Sequence, residues 1–234
     1  MAKFLLSAGH GSADPGAVYH GTTERDENIA RVNEAVNLLN TQDLKGRQLV
    51  VVPHNLGLQA GVDWINANTT DPAHDLTLEV HMNANAGTPG TGIETYHGNP
   101  GLAFEIHTEA ALFTGLRDRG TKDGNHLWFN RMTDCASALI ELGFINNISD
   151  LAIARVKGGE ALARGIVRAC GGTWKVPTPP TTTTSSTTSS TTSSSSSSSS
   201  TTTPPPPPAG NPDWVAIKPL LIDLLERILV WLRK

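Results

Sequence analysis

Cysteine, surplus positive charge and long apolar runs are all scarce in this chain, and each shortage removes a class of function. Its 234 residues include 2 cysteines, Cys135 and Cys170, both in apolar-flanked segments. One bridge at most gives little sign of an oxidising compartment, so both are read as buried thiols. Lys and Arg number 18 against 22 Asp and Glu, a net charge of −4. Split along the chain, residues 1–176 carry 14 against 19 and residues 211–234 carry 4 against 3. Neither part has the basic surplus of a nucleic-acid binder, and no nucleic acid is expected as a partner. The opening stretch MAKFLLSAGHG holds only a short apolar run, well below a secretory core segment, so synthesis in a cytoplasm without an export signal of its own is expected.

Apolar residues are also missing from a whole internal region. PTPPTTTTSSTTSSTTSSSSSSSSTTTPPPPPAG offers nothing able to offset chain entropy and reads as a disordered linker over 176–210. A flexible tether of about thirty residues has a root-mean-square span on the order of 30 Å. The folded domain must then lie within 1–175, and a short tail occupies 211–234. In that tail Pro219 suits a helix start, and Leu220, Leu221, Leu224, Leu225, Ile228, Leu229, Trp231 and Leu232 cover more than half of a helical surface. The apolar stretch of about fifteen residues is too short to span a bilayer. Such a helix has to hide its wide face in a second copy, a membrane interface, an envelope component or its own catalytic domain. Self-association is preferred, because acids and bases mix on its polar stripe and give little attraction to anionic lipid.

Before residue 176 the pattern alternates. KFLLSA, RQLVVVP, DLTLEVHMNA, GIETYH and SALIELGF read as strands. TERDENIARVNEAVNLLN, LGLQAGVDWINANT, GLAFEIHTEAALFTGLRDRG and ISDLAIARVKGGEALARGIVRAC read as helices. Strands alternating with helices imply an α/β fold, a three-layer, mostly parallel twisted sheet flanked by helices. Ligands in such sheets sit beyond the carboxyl ends of strands. His10 and His81 each follow a principal strand and Glu141 lies in the last one, so all three can reach one rim.

The stretch GHGSADPGAV places His10 among glycines, where the backbone has unusual freedom. A catalytic zinc needs about three protein ligands and an open position, and His10, Glu24 and His81 are candidates. Spacing alone would not select them from 8 histidines and many carboxylates. Glu27 begins the same helix as Glu24 and is the fallback; either could instead complement the positive end of that helix. Asn83 is a candidate substrate-binding amide or a partner that orients a ligating imidazole. His20, His97 and His126 are read as surface or groove residues.

GHGSADPGAV followed by GTTERDENIA, VHMNANAGTPGTGIETY and ALIELGFINNISD, in that order, resembles the zinc-dependent N-acetylmuramoyl-L-alanine amidases of the type 3 family. The resemblance covers about residues 3–170. It implies that His10, Glu24 and His81 hold zinc and that Glu141 is the catalytic acid and base, with peptidoglycan as substrate. Three departures stand out: GHGS in place of Gly-His-Gly-Gly, EVH in place of Ser-x-His, and no proline shortly before Glu141. None removes a ligand or the base. Joined to a separate attachment segment and lacking an export signal, such an enzyme resembles a phage endolysin, made in the host cytoplasm and acting on the wall after a holin-type release. A host wall-remodelling amidase and a non-catalytic wall-binding module are the alternatives.

Overall fold

The computed structural model describes residues 1–177; the expected tail at 211–234, and all but the first residues of the expected linker, lie outside them. The elements run β1 (Lys3–Ala8), β2 (Val18–Tyr19), β3 (Thr22–Thr23), α1 (Glu24–Leu39), β4 (Gln48–Val51), α2 (Leu58–Asn68) and β5 (Leu76–Asn83). They continue with β6 (Ile93–His97), α3 (Pro100–Thr114), β7 (Asp118–Asp123), α4 (Trp128–Met132), β8 (Ala136–Phe144) and α5 (Ile148–Ala169). Six strands form one sheet in the order β4-β1-β5-β8-β6-β7, and β2 and β3 make a separate small hairpin. Within the sheet only β6 against β8 is antiparallel. The expected three-layer, mostly parallel α/β fold is therefore what the chain adopts.

The two faces of the sheet are unequal, and the alternation in β5 shows why. Leu76, Leu78 and Val80 belong to the main core, with Phe4, Leu6, Ile140 and Leu142 from the neighbouring strands. Over them lie Val32 of α1, Ile106 of α3, and Leu162 and Ile166 of α5. A fully buried side chain of this kind contributes roughly 1.5 to 3 kcal/mol, so this face carries most of the fold's stability. The opposite face has a smaller core, in which Leu5 and Val52 meet Val62 and Ile65 of α2 and Phe129 beside α4's start. Beyond that patch the same face is polar. Register places Ser7 beside Glu79, His81 beside Glu141, and Glu141 beside Glu94.

Two elements differ from the sequence reading. The helix expected over 101–120 stops at Thr114, where Gly115 takes a left-handed conformation (φ 69°) and closes it. Residues 118–123 then become the edge strand β7, whose DRGTKD sequence lacks the apolar alternation that reveals a strand. The β2–β3 hairpin and α4 are too short to leave a periodic signal. Cys135 and Cys170 are free and buried, and burial pushes both thiols up to about 11. Among the described residues no helix is long and apolar enough to cross a membrane.

One buried carboxylate ties the start of the sheet together. Asp75 accepts from the backbone N–H of Lys3 (2.6 Å), Thr70 (2.8 Å) and Asp71 (3.0 Å). Burial pushes its pKa up, but those donors outweigh it and hold the group below its ordinary 3.8. Asp75→Ala leaves three buried donors unmatched and is expected to cost about 2 to 3 kcal/mol, read by urea unfolding of the full chain at pH 7. Because the folded pKa is depressed, the contribution is in place above the ordinary carboxylate pKa and fades as pH falls below it. The gap between variant and wild type should therefore close in acid.

Candidate active site and metal cluster

The first histidine is held in an uncommon conformation. After β1 the chain crosses to β5 through Gly9, whose N–H donates to the Val80 carbonyl at 2.8 Å. His10 then takes φ 62° and Ser12 φ 53°, both in the left-handed region. Strain of this sort costs on the order of 1 to 3 kcal/mol and persists where the surroundings hold it in place. Here they do. His10 Nδ1 pairs with Asp14 Oδ2 at 2.9 Å, and the other oxygen of Asp14 accepts from Gly16 N–H at 3.0 Å. Side chains at two glycines would close the site: a Cβ on Gly16 would lie 2.6 Å from His10 Cδ2, and one on Gly9 would lie 2.1 Å from His81 Nε2.

Glu24 joins the two histidines. It opens α1, whose N-cap Thr23 accepts from Asp26 N–H at 3.1 Å. Its Oε2 lies 3.1 Å from His10 Nε2 and accepts from Ala17 N–H at 3.1 Å. Its Oε1 lies 2.9 Å from His81 Nδ1 and accepts from Met82 N–H at 3.2 Å. The remaining nitrogen of His81 faces Glu79 Oε2 at 3.3 Å. Burial works against the Glu24 anion, yet the two imidazoles outweigh it and drive its pKa far down. His10 is raised, first by Glu24 and against the pull of burial. His81 is raised well above 6.5 although burial opposes it, because Glu24 and Glu79 flank it.

These features fit a divalent cation. The three side chains offer two imidazole nitrogens and a carboxylate oxygen, all within 4.8 Å of one another. That donor set is typical of a catalytic zinc site, and each imidazole keeps its other nitrogen on a carboxylate, as metal-ligating histidines do. Glu27 is not part of the group. Its carboxylate is taken by Thr22 Oγ1 (2.8 Å) and Arg155 Nη2 (2.7 Å), so the fallback reading gives way to Glu24.

Glu141 stands one strand further, directly beside His81 in the register of β5 and β8. Burial raises its pKa to about 7; His81 opposes the rise, while Glu24 and Glu94 add to it. Its Oε2 is shut off from solvent and has no hydrogen-bond partner among the described residues, although the residue as a whole is partly exposed. A carboxyl group with one idle oxygen and a near-neutral pKa is suited to exchange a proton with something that enters the site.

Residues 5–170 match the model of the N-acetylmuramoyl-L-alanine amidase family Amidase_3. The chain belongs to this family. It is 29% identical over 178 residues to N-acetylmuramoyl-L-alanine amidase LytC of Bacillus subtilis (strain 168), which covers 70% of this chain and 34% of LytC. It thus spans about a third of that relative's length. An uncharacterized protein of the same organism, YqiI, is 30% identical over 152 residues, or 62% of this chain and 71% of YqiI. Among solved structures, an N-acetylmuramoyl-L-alanine amidase from Clostridium difficile 630 superposes with a TM-score of 0.60 at 28% identity, covering 72% of this chain and 94% of that one.

Within this amidase-family module, several neighbours of the cluster escaped the sequence reading. The partners that orient the imidazoles are Asp14 and Glu79. Glu79 could have been found from the alternation Thr77, Glu79, His81, Asn83, and Asp14 from its place four residues after His10. Asn83 is hydrogen-bonded not to an imidazole but to Glu94, its Nδ2 donating to Oε1 at 2.9 Å. Arg119 and Lys122, which also reach Glu94, gave no signal because their segment read as the end of a helix.

The raised histidines make metal binding proton-linked. At neutral pH a divalent cation offered to the cluster is expected to bind with release of protons from His10 and His81, and the release should shrink as rising pH strips those protons beforehand. Calorimetry in buffers of different ionisation enthalpy reads the number released. His81→Ala should lose the metal, and full zinc occupancy in that variant would remove His81 from the ligand set.

Proposed function

We propose that this chain is a zinc-dependent N-acetylmuramoyl-L-alanine amidase, hydrolysing the amide that joins N-acetylmuramic acid to L-alanine in peptidoglycan. The observation that carries the reading is Glu141 with an idle, buried oxygen beside a His–Glu–His cluster, inside the family-matched residues. A zinc ion held by His10, Glu24 and His81 would supply Lewis acidity for the carbonyl and acidify water toward a pKa of ~7. Everything else falls to the chain. Asp14 and Glu79 fix the two rings, and the Ala17 and Met82 N–H groups fix the Glu24 carboxylate. The Glu141 carboxylate takes a proton from the attacking water. As the C–N bond breaks, it returns that proton to the departing alanine nitrogen. The products are a free carboxylate on the glycan and a stem peptide with a new amino terminus.

Glu141→Gln should keep fold and metal but lose hydrolysis by a factor on the order of 10² or more, the scale of a missing general acid or base. Mass spectrometry of digested walls should show intact glycan strands and free peptides beginning with L-alanine; shortened glycans would place the reaction in another class. Binding to walls with no release of amino groups would instead identify a wall-binding module. The same substitution should raise the stability of metal-free protein. A carboxylate whose folded pKa sits above its ordinary 4.5 opposes folding as pH climbs from 4.5 through 7, and glutamine removes that burden.

The finer role belongs to the same proposal. A catalytic module joined by a Ser/Thr/Pro tract to a strongly amphipathic segment suits a phage endolysin that stays in the host cytoplasm until a holin-type opening admits it to the wall. Production inside a bacterium should be harmless until the membrane is permeabilised and lytic afterwards; lysis without permeabilisation would favour a host remodelling amidase. The tail is proposed to self-associate. Light scattering should show the full chain larger than a monomer and a chain ending at Gly210 monomeric, whereas a full-length monomer that binds anionic vesicles would assign the tail to membranes.

A further inference from the structure

Next to Glu141 lies a charged group that the proposed hydrolysis does not use. Glu94, 1% exposed, sits directly opposite Glu141 in the antiparallel register of β6 and β8. Its Oε1 accepts from Asn83 Nδ2 and Tyr96 Oη, both at 2.9 Å. Its Oε2 accepts from Arg119 Nε and Lys122 Nζ, both at 2.5 Å. Every oxygen is taken twice, so Glu94 has nothing left to give a substrate. What it does is fix two cations of the edge strand in place.

Those cations have capacity to spare. Arg119 gives Glu94 only its Nε and lies over the Phe144 ring at 5.1 Å, which leaves the terminal N–H groups of its fork without a partner among the described residues. Lys122 spends one of three donors on Glu94. Their side chains remain 30% and 37% exposed. Two cations on one carboxylate leave a surplus positive charge. Neither acid of β7 pairs with these cations: Asp118 Oδ1 lies 2.9 Å from His107 Nε2 and accepts from Gly120 N–H (2.7 Å), and Asp123 Oδ1 accepts from Asn125 (2.8 and 3.0 Å). A planar, preoriented guanidinium fork with a lysine beside it matches the geometry of a carboxylate.

We propose that Arg119 and Lys122, held by Glu94, form an anion subsite for a carboxylate on the peptide side of the scissile amide. The inference rests on the amidase reading and gives the substrate a direction. In peptidoglycan the carboxyl of N-acetylmuramic acid is consumed in the scissile amide, so the carboxylates near the cut belong to the stem peptide. The distance agrees. Strands lie about 4.8 Å apart, so cation heads reaching back to Glu94 sit roughly one strand from Glu141. A stem residue adds at most about 3.6 Å, which brings the free carboxylate of the second residue, one past the alanine, to that position. At the other end of the rim the cavity beyond His10 is lined by Val52, Pro53, Leu56 and Leu58, with Asp14 and Glu79 but no Lys or Arg. That end suits the uncharged sugar side.

The test compares two muropeptides that differ only in a free carboxylate or a carboxamide on the second stem residue. Zinc-loaded, full-length enzyme is expected to favour the carboxylate form at least about tenfold in kcat/KM, the low end for a charge-assisted hydrogen bond. Arg119→Gln and Lys122→Gln should each bring the ratio within about threefold. Equal cleavage of both forms by wild type, or a ratio unchanged in folded Arg119→Gln, would overturn the subsite while leaving the amidase reading intact. A second readout covers variants that fail to fold. A stem tripeptide amidated at its carboxyl end, with a free carboxylate on its second residue, should shift the Arg119 side-chain Nε–Hε resonance of wild-type protein. Its fully amidated counterpart should not, and no shift with either peptide counts against the subsite. If neither muropeptide is cut, the amidase reading fails, and the tripeptide titration still decides whether the anion subsite exists.

Discussion

The site depends on one carboxylate shared by two imidazoles. Glu24 is the point where the loop after β1, the first turn of α1 and the end of β5 meet, because its oxygens face His10 and His81 while accepting from Ala17 and Met82. Each oxygen thus has one side-chain partner and one backbone partner, so the group is oriented before any cation arrives. Preorganisation of this kind reduces what a ligand has to spend on ordering the site. Without Glu24, His10 and His81 would face each other at a ring separation of 4.9 Å with nothing negative between them.

Asymmetry of the sheet gives this carboxylate its setting. Helices α1, α3 and α5 cover one face with the larger core, whereas α2 and α4 cover only part of the other. The uncovered part can therefore carry Glu79, His81, Asn83, Glu141 and Glu94 side by side without breaking a hydrophobic core. Edge strand β7 closes the row with cations. Burial alone would make such a row costly, since each polar group taken from water needs a partner. Most have one. Glu94 is saturated by four donors, and Glu79 and Asp14 sit against imidazoles.

Glu141 is the exception, and the contrast with Glu94 is informative. The two carboxylates are neighbours in the register, yet Glu94 is held below its ordinary pKa despite burial, while Glu141 is pushed up to about 7 by it. Partners make the difference: Lys122, Arg119 and Tyr96 serve Glu94, and none of them reaches the buried Oε2 of Glu141. Two adjacent acids are thereby split into a structural anion and a group able to hold or release a proton near neutrality. The left-handed backbone at His10 is a further local cost in the same region.

How much of this was legible depended on range in the sequence. The main strands, α1, α2 and α5 follow from apolar periodicity, and His10 just after β1 and His81 near the end of β5 lie at strand ends, so a rim with histidines could be read from the chain alone. The ordered motifs supplied the grouping with Glu24 and Glu141, which spacing could not. The end of α3 at Gly115 and the edge strand β7 were hidden because a polar edge strand has no alternation to reveal it. The resemblance preferred Glu24 to Glu27, but the physical reason lies in the fold: both are on one helical face, and only packing sends Glu27 to Arg155 and Thr22. The pairing of Arg119 and Lys122 with Glu94 joins residues about 25 apart across two strands. Periodicity reports which residues share a face of their own element. Which faces meet is decided by strand order and register, and those are properties of the assembled sheet.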